Sequence, residues 1–315
     1  MSEFKYEPAD CLPYGKIDPE LLERCRKMSG QEVAAREPWH HPEYKIEILK
    51  PSEMMTSQIE DMFNQILTAR DEGRNCVLLL PNPWPKYRDI AHLINAARID
   101  CHHLYCFAMD EYADQDGNIA PADWEWGFTN SMVQFFWAEI DESLRPPRDH
   151  FIGFTKENID HYGEMMQELG GVDNAYFGPG WSGHLAFCEP DAPEFDMPLE
   201  EWKKAKARVC TLSPFTLAQN SLHGCFGASG DLSRVPPKAA TVGPAEALAC
   251  KYRWTTHSIT IQDTFASWQR LTTRLCLHSP VTPKLPDSVL QLVPTLVQVS
   301  TVSAAPIVQT WDLGY

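Results

Sequence analysis

Residues 175–190 read Ala-Tyr-Phe-Gly-Pro-Gly-Trp-Ser-Gly-His-Leu-Ala-Phe-Cys-Glu-Pro, an apolar stretch that runs into three glycines and one histidine. Glycines at the exit of a strand allow positive φ angles and let backbone N–H groups approach a ligand closely. His184 can move protons near neutral pH, and the carboxylate of Glu189 can hold its charged form. The segment therefore predicts a strand followed by a tight turn that carries a ligand-binding or catalytic site. The alternative is a tight turn in which the histidine has only a structural role.

A second segment has a similar arrangement. Residues 104–112 read Leu-Tyr-Cys-Phe-Ala-Met-Asp-Glu-Tyr, so an apolar run is followed directly by the acids Asp110 and Glu111. In a parallel α/β sheet, a carboxylate at the carboxyl end of a strand faces the ligand crevice. Asp110 is therefore a candidate site residue, and the alternative is that it caps a helix.

Strand-like and helix-like segments alternate from Tyr44 onward. Segments that look like strands lie at 44–49, 76–80, 104–109, 175–178, 258–261 and 296–300, and the one at 76–80 is a continuous apolar run typical of a strand buried on both faces. Apolar residues at helical spacing predict helices at 52–71, 87–98, 128–140 and 157–169. This alternation indicates an α/β fold with a doubly wound, mostly parallel sheet flanked by helices, of the Rossmann-like kind. Residues 1–43 are expected to form an N-terminal helical extension that packs on the domain or reaches a neighbouring subunit, and residues 44–315 a single domain.

The composition excludes several classes of protein. The chain has 315 residues, 43% of them hydrophobic, and a formal net charge of −16. Such a surface repels nucleic acid and anionic membranes, so neither is expected as a partner. The ten cysteines form no Cys-x-x-Cys pair, and the polar start of the chain and the lack of a long apolar stretch favour a cytoplasmic protein. The histidines and cysteines show no zinc-ligand spacing, so no metal is expected.

Three motifs in one order resemble the glucosamine-6-phosphate deaminase/isomerase family, which is related to the 6-phosphogluconolactonases. The family's Met-Asp-Glu-Tyr is present at 109–112, and its Gly-x-Gly-x-Asp-Gly-His-Ile-Ala-Phe-Asn-Glu-Pro is similar to residues 178–190. The third match is Gly-Asp-Leu-Ser-Arg-Val-Pro at 230–236, leading into Ala-Thr-Val-Gly at 240–243. The resemblance runs from about Tyr44 to Pro306 and identifies the chain as a divergent member.

The resemblance implies an enzyme that opens a sugar ring and moves a proton between C2 and C1, after which the deaminases release ammonia. It implies that Asp110 is the base, that His184 opens the ring, and that Glu189 orients and charges His184. A carbohydrate substrate is then expected, without a cofactor, and a homo-oligomer such as a hexamer or dimer. The residues expected to contact the substrate are Asn82, Trp84, Gly180, Trp181, Ser182, Gly183 and Glu111.

The matching phosphate site departs from the family pattern. The loop at 80–85, Leu-Pro-Asn-Pro-Trp-Pro, contains three prolines, which have no N–H to offer a phosphate. Leu222 follows Asn-Ser where the family has an arginine, and residues 260–269 contain no lysine. The sequence therefore predicts a substrate without the usual terminal phosphate, with tryptophans near the motifs, such as Trp84 and Trp181, as stacking partners.

Other departures and readings stay open. Ser182 replaces the family's acid before Gly-His, so His184 keeps one carboxylate partner and a less raised pKa is expected. An anion site could be rebuilt elsewhere from Arg208, Arg234, Lys251 and Arg253. The alternative functions are a lactone hydrolase of the 6-phosphogluconolactonase type and a non-catalytic sugar-binding protein. The enzymatic hypothesis requires Asp110 and His184 to face one cavity.

Overall fold

The computed structural model describes residues 17–81, 84, 86–259 and 267–308. Its strands are β1 (Tyr44–Leu49), β2 (Cys76–Leu80), β3 (Leu104–Ala108), β4 (Asp110–Ala113), β5 (Phe151–Ile152), β6 (Asn174–Phe177), β7 (Arg208–Thr211), β8 (Lys238–Thr241), β9 (Tyr252–His257) and β10 (Thr295–Ser300). Seven of them form a parallel sheet with the order β1-β10-β9-β6-β2-β3-β5. The other three form an antiparallel sheet with the order β4-β8-β7.

Helices cover both faces of the parallel sheet. They are α1 (Pro19–Lys27), α2 (Gly30–Val33), α3 (Pro51–Asp71), α4 (Tyr87–Ala97), α5 (Phe128–Phe135), α6 (Tyr162–Glu168), α7 (Leu199–Trp202), α8 (Pro214–Asn220), α9 (Pro244–Ala249) and α10 (Arg270–His278). Every residue of β2 is fully buried, and its successive side chains enter two different hydrophobic clusters. This two-sided burial is what a continuous apolar strand requires, and it confirms the doubly wound, mostly parallel α/β fold. None of the helices within the described ranges is long and apolar enough to cross a membrane.

Some elements differ from the prediction. The sequence predicts a strand at 258–261, but the strand of the structure lies earlier, at Tyr252–His257. Arg253 and His257 are buried in it although their side chains are polar. Residues 260 and 261 lie outside the described residues. The helix expected at 128–140 ends at Phe135 and continues as a 3-10 turn at Trp137–Glu139. The helix expected at 157–169 is Tyr162–Glu168, preceded by a 3-10 turn.

The residues before β1 pack against α10. Cys25 of α1 is buried in a small cluster with residues of α10, Leu275 and Cys276. The buried guanidinium of Arg274 donates to the carbonyl of Met28 and to carbonyls after β10. The described part of the extension therefore lies on the α/β body, and the domain boundary at residue 43 stays a prediction.

Candidate active site

A cavity of about 360 Å³ lies where several parallel strands end. Pro81 follows β2, Met109 follows β3, Gly178 follows β6 and Ser258 follows β9, and all four line this cavity. Ligands of open α/β sheets bind beyond the carboxyl ends of the strands, and the volume suits a small molecule. Asp110 and His184 both line the cavity, as the enzymatic hypothesis required.

Asp110 begins β4, opposite Thr241 of β8, and only 4% of it is exposed. Its Oδ1 accepts a hydrogen bond of 2.5 Å from the hydroxyl of Thr241. Burial raises the pKa of Asp110 to about 7, although the Thr241 hydroxyl and the charge of His184 favour the ionised form. The carboxyl group can therefore both accept and return a proton near neutral pH. The alternative of a helix cap is wrong, because Asp110 lies in a strand.

His184 is paired with Glu189, and both side chains are buried. The Nδ1 atom of His184 lies 3.3 Å from Glu189 Oε1 and 3.3 Å from the Thr216 hydroxyl. Burial alone would lower the pKa of His184, but the charge and hydrogen bond of Glu189 and the charge of Asp110 raise it above its ordinary value. Within the part of the chain that the structure describes, Nε2 has no hydrogen-bond partner. One ring nitrogen is thus held by a carboxylate while the other is open to a ligand.

Ser182 hydrogen-bonds the carboxylate of this pair on the side away from the cavity. Its hydroxyl donates to Glu189 Oε2 at 2.8 Å. Ser182 is completely buried and does not line the cavity. Its position is that of a support for Glu189 rather than of a substrate contact.

Gly180 makes room for the imidazole. Its φ is +58°, and a Cβ atom there would lie 2.6 Å from His184 Nε2. Any larger residue would therefore be strained and would displace the ring. Gly183 also has positive φ, at +81°, but it packs against α10 instead of lining the cavity. These glycines fit the tight turn expected from the sequence, and Gly180 alone of the two faces the cavity.

Glu111 points to the opposite side of β4. Its carboxylate accepts hydrogen bonds from the backbone N–H groups of Tyr112, Phe128 and Thr129, at 3.0, 3.1 and 2.8 Å. Phe128 and Thr129 are the first residues of α5, so the carboxylate satisfies donors that the helix start leaves free. Glu111 is not among the residues that line the cavity, and both of its oxygens serve this anchoring role, which does not favour the expected substrate contact.

The two tryptophans expected at the site have different positions. Trp84 lines the cavity and packs edge-on against Tyr87, with ring centroids 5.1 Å apart. Trp181 is not among the lining residues, and its ring packs against Phe215 and Trp268. Asn82, also expected to contact the substrate, lies outside the described residues. Of the two predicted stacking partners, only Trp84 lines the cavity.

Neutral polar side chains that lie outside the sequence motifs complete the cavity. They are Gln58, Gln219, His223, Thr256, Ser258 and Gln269. Gln58 Nε2 donates to Thr256 at 2.7 Å, and Gln269 Nε2 donates to the Gly180 carbonyl at 3.0 Å. Amides on helices carry no recognisable spacing, so no sequence signal pointed to them. His223 follows directly after Leu222 and lies outside the three motifs.

No lysine or arginine is among the residues that the structure describes along this cavity. The four cations considered for a rebuilt anion site are engaged elsewhere. Lys251 pairs with Asp173, and Arg253 donates to the Ala247 carbonyl. Arg208 donates to the Glu194 carbonyl, and the exposed Arg234 lies beside Asp231. None of these four residues lines this cavity, so they supply no anion site here.

The chain has recognisable relatives. A glucosamine-6-phosphate deaminase of Caenorhabditis elegans is 30% identical over 186 residues, which are 57% of this chain and 62% of the relative. Another, from Mannheimia succiniciproducens, is 28% identical over 189 residues, 56% of this chain and 61% of that protein. The chain thus spans less than two thirds of the length of these relatives. No family model matches the chain.

Solved structures share the fold. A monomeric glucosamine-6-phosphate deaminase superimposes with a TM-score of 0.65 at 20% identity, covering 82% of this chain and 98% of the other. A 6-phosphogluconolactonase from Leishmania guyanensis gives a TM-score of 0.56 at 13% identity, covering 84% and 98%. The expected homo-oligomer stays a prediction. The sequence relatives and the shared fold support the resemblance seen in the motifs: the chain is similar in sequence to glucosamine-6-phosphate deaminases and shares the fold of a solved one.

Proposed function

We propose that this protein moves a proton between C2 and C1 of a ring-opened sugar, as an isomerase or deaminase, and that its substrate lacks the usual terminal phosphate. One observation carries the proposal: the buried carboxyl group of Asp110 and the imidazole of His184, which is paired with Glu189 behind it, face the same small cavity. Sugar isomerisation needs both a base near a carbon acid and a separate acid–base group for the ring oxygen.

Ring opening is assigned to His184. Its Nε2 is open to the cavity while Glu189 holds Nδ1, so the ring can carry an extra proton. His184 gives that proton to the ring oxygen as the bond from C1 to this oxygen breaks, and it takes up the proton of the C1 hydroxyl. The step leaves the histidine as it began and gives the open-chain aldehyde.

Proton transfer is assigned to Asp110. The carboxylate takes the proton from C2, and the electrons of the C–H bond form a double bond between C1 and C2 while the C1 oxygen gains a proton. Return of the proton from Asp110 to C1, with loss of a proton from the C2 hydroxyl, gives the ketose without net gain or loss of protons. If C2 carries an amino group, the same transfer leaves an imine, and one water replaces one ammonia.

The charges of the cavity support an unphosphorylated substrate. The described residues that line it include no lysine or arginine, and the whole chain carries a net charge of −16. A phosphate dianion taken out of water needs compensating charge or several hydrogen-bond donors. Neutral side chains such as Gln58 and Thr256 suit hydroxyl groups instead.

Exchange of deuterium from solvent tests the proposal. The full chain is incubated in deuterated water with glucose, fructose, glucosamine and glucosamine 6-phosphate, while NMR follows C1 and C2 and an assay follows ammonia. We expect exchange on an unphosphorylated sugar and a loss of about 10²-fold or more in Asp110→Asn. Exchange that survives this substitution would remove Asp110 as the base, and robust ammonia release from glucosamine 6-phosphate alone would overturn the substrate assignment.

A lactone hydrolase could use the same pair of residues, because a histidine held by a carboxylate can also activate water. The His184–Glu189 pair is therefore the observation that keeps this second candidate. Hydrolysis of gluconolactone that needs His184 but not Asp110, without deuterium exchange on any sugar, would favour the hydrolase. Binding of sugars without either reaction would favour the non-catalytic alternative.

A further inference from the structure

His223 is a second histidine that lines the cavity, and the chemistry assigned to Asp110 and His184 does not use it. Its backbone is held firmly: its N–H donates to the Asn220 carbonyl at 2.9 Å, and its carbonyl accepts from Phe226 and Ala228 at 3.0 Å each. Its ring, in contrast, makes no hydrogen bond with any residue that the structure describes. The backbone of His223 is thus held in place, while its ring nitrogens are available to hydrogen-bond a ligand.

Burial favours the neutral form of the ring, because it lowers the pKa of His223 below its ordinary value of 6.5. A neutral imidazole presents one N–H donor and one nitrogen acceptor. A sugar hydroxyl, which both donates and accepts, matches this pair, whereas a phosphate dianion accepts hydrogen bonds and has nothing to give to the acceptor nitrogen.

Neighbouring walls of the cavity have the same neutral character. Gln58 uses its Nε2 on Thr256, which leaves its Oε1 without a partner among the described residues. Gln219 uses its Oε1 on the N–H of Trp181, which leaves its Nε2 without one. The cavity therefore offers a free acceptor and a free donor besides His223, but no fixed positive charge from the residues described.

From this arrangement we propose that His223 determines specificity by hydrogen-bonding a substrate hydroxyl, and that it selects unphosphorylated sugars over sugar phosphates. The inference rests on the proposed function for the identity of the ligand as a sugar. It adds a named residue for the selection, which the reaction itself does not require.

Charge substitution at two adjacent positions tests the assignment. His223→Arg places a cation in the cavity, whereas Leu222→Arg adds the same charge one residue earlier, where the native side chain is 40% exposed. Calorimetry at pH 7.5 compares glucose and glucosamine with their 6-phosphates on the full chain. The native protein is expected to bind a free sugar at least about tenfold more tightly than its 6-phosphate, because a site built for hydroxyls discriminates strongly.

We expect His223→Arg to shift this ratio by about tenfold or more toward the phosphate, and Leu222→Arg to leave it unchanged. His223→Gln, which keeps a donor and an acceptor, should retain most of the free-sugar affinity, and thermal unfolding will show whether each variant is folded. Equal shifts from both arginine variants would overturn the assignment, since charge at the surface would then explain them. A native preference for the 6-phosphates, or no binding of either free sugar, would overturn it as well.

The outcome is separable from that of the exchange experiment. If His223→Arg changes the affinity ratio of free sugar to sugar phosphate but no sugar exchanges deuterium, the role of His223 in specificity stands and the proposed reaction is rejected. If a free sugar exchanges deuterium but His223→Arg leaves the affinity ratio unchanged, the reaction stands and the role of His223 is rejected.

Discussion

The two sides of β4 use the same chemical group in opposite ways. Asp110 faces the cavity and receives one side-chain hydrogen bond, from Thr241, whereas Glu111 faces α5 and receives three backbone N–H bonds. Burial raises the pKa of both, to about 7 for Asp110. In Glu111 the N–H groups oppose that rise and fix the carboxylate in place, so it anchors the helix.

Adjacent acids in a sequence therefore do not reveal which one is chemically active. The supply of local hydrogen-bond donors distinguishes them, and it depends on what packs against each side of the strand. A carboxyl group that is buried with few donors keeps the ability to exchange a proton. One that is buried with many donors becomes part of the framework.

Removal of the Asp110 charge is expected to have the largest effect. Asp110→Asn should lower deuterium exchange by about 10²–10⁴-fold, since the base is lost while the shape is kept. It should also stabilise the fold at pH 8. Because the folded-state pKa of about 7 exceeds the ordinary value of 3.8, ionising Asp110 costs stability as the pH rises from about 4 through 7.

The stability gain of Asp110→Asn should be a few kcal/mol at pH 8 and vanish near pH 4. Urea unfolding at both pH values measures it. An equal change in stability at both pH values would show that Asp110 carries no raised pKa, and would remove the main physical reason to treat it as a base.

Gly180, beside the cavity, and Gly127, beside Glu111, allow a matched test of how much free space each side of β4 has. A Cβ atom on Gly180 would meet the His184 ring at 2.6 Å, and one on Gly127 would meet the Glu111 carboxylate at 3.2 Å. Gly180→Ala should reduce exchange about tenfold by displacing the imidazole, with a loss of stability from its positive φ. Gly127→Ala should leave exchange per folded molecule unchanged. If both alanines reduce the exchange rate equally, the two sides are not functionally distinct.

Glu111→Gln is expected to affect stability and not chemistry. The glutamine amide presents N–H groups where one carboxylate oxygen now accepts, which leaves a buried backbone donor of α5 without a partner. We expect a loss of about 1–3 kcal/mol in the free energy of unfolding, with the exchange rate per folded molecule within about twofold of the native value. Circular dichroism during denaturation and exchange on the same sample measure both. A large loss of exchange with unchanged stability would reassign Glu111 to the site.

The sequence was sufficient for those features that depend on short-range patterns. The buried run of β2 predicts a strand covered on both faces, and the exits at Met109 and Gly178 lead to the same cavity because parallel strands end at one edge. The glycines that precede the histidine predict a tight turn, which Gly180 and Gly183 form with positive φ.

Features that depend on long-range packing were missed. The antiparallel sheet brings Thr241 to Asp110 across 131 positions, and its short strands show no strong apolar pattern. Trp181 packs on Trp268 instead of facing the cavity, and Ser182 reaches Glu189 instead of His184. His223 became visible only when the fold placed it in the cavity wall. Sequence spacing carries no information on any of these partners.

The smallest expected effect comes from the bond between Thr241 and Asp110. The exchange rate should rise with pH with a midpoint near 7, because the base must be ionised. Thr241→Val removes the 2.5 Å bond that favours the carboxylate, so the midpoint should move upward by less than about one pH unit. The shift is limited because the Phe187 N–H, which now bonds the Thr241 hydroxyl, also supports the carboxylate. Thr241→Ser keeps the hydroxyl and should restore the native midpoint, whereas a downward shift in Thr241→Val would mean that Thr241 opposes ionisation of Asp110.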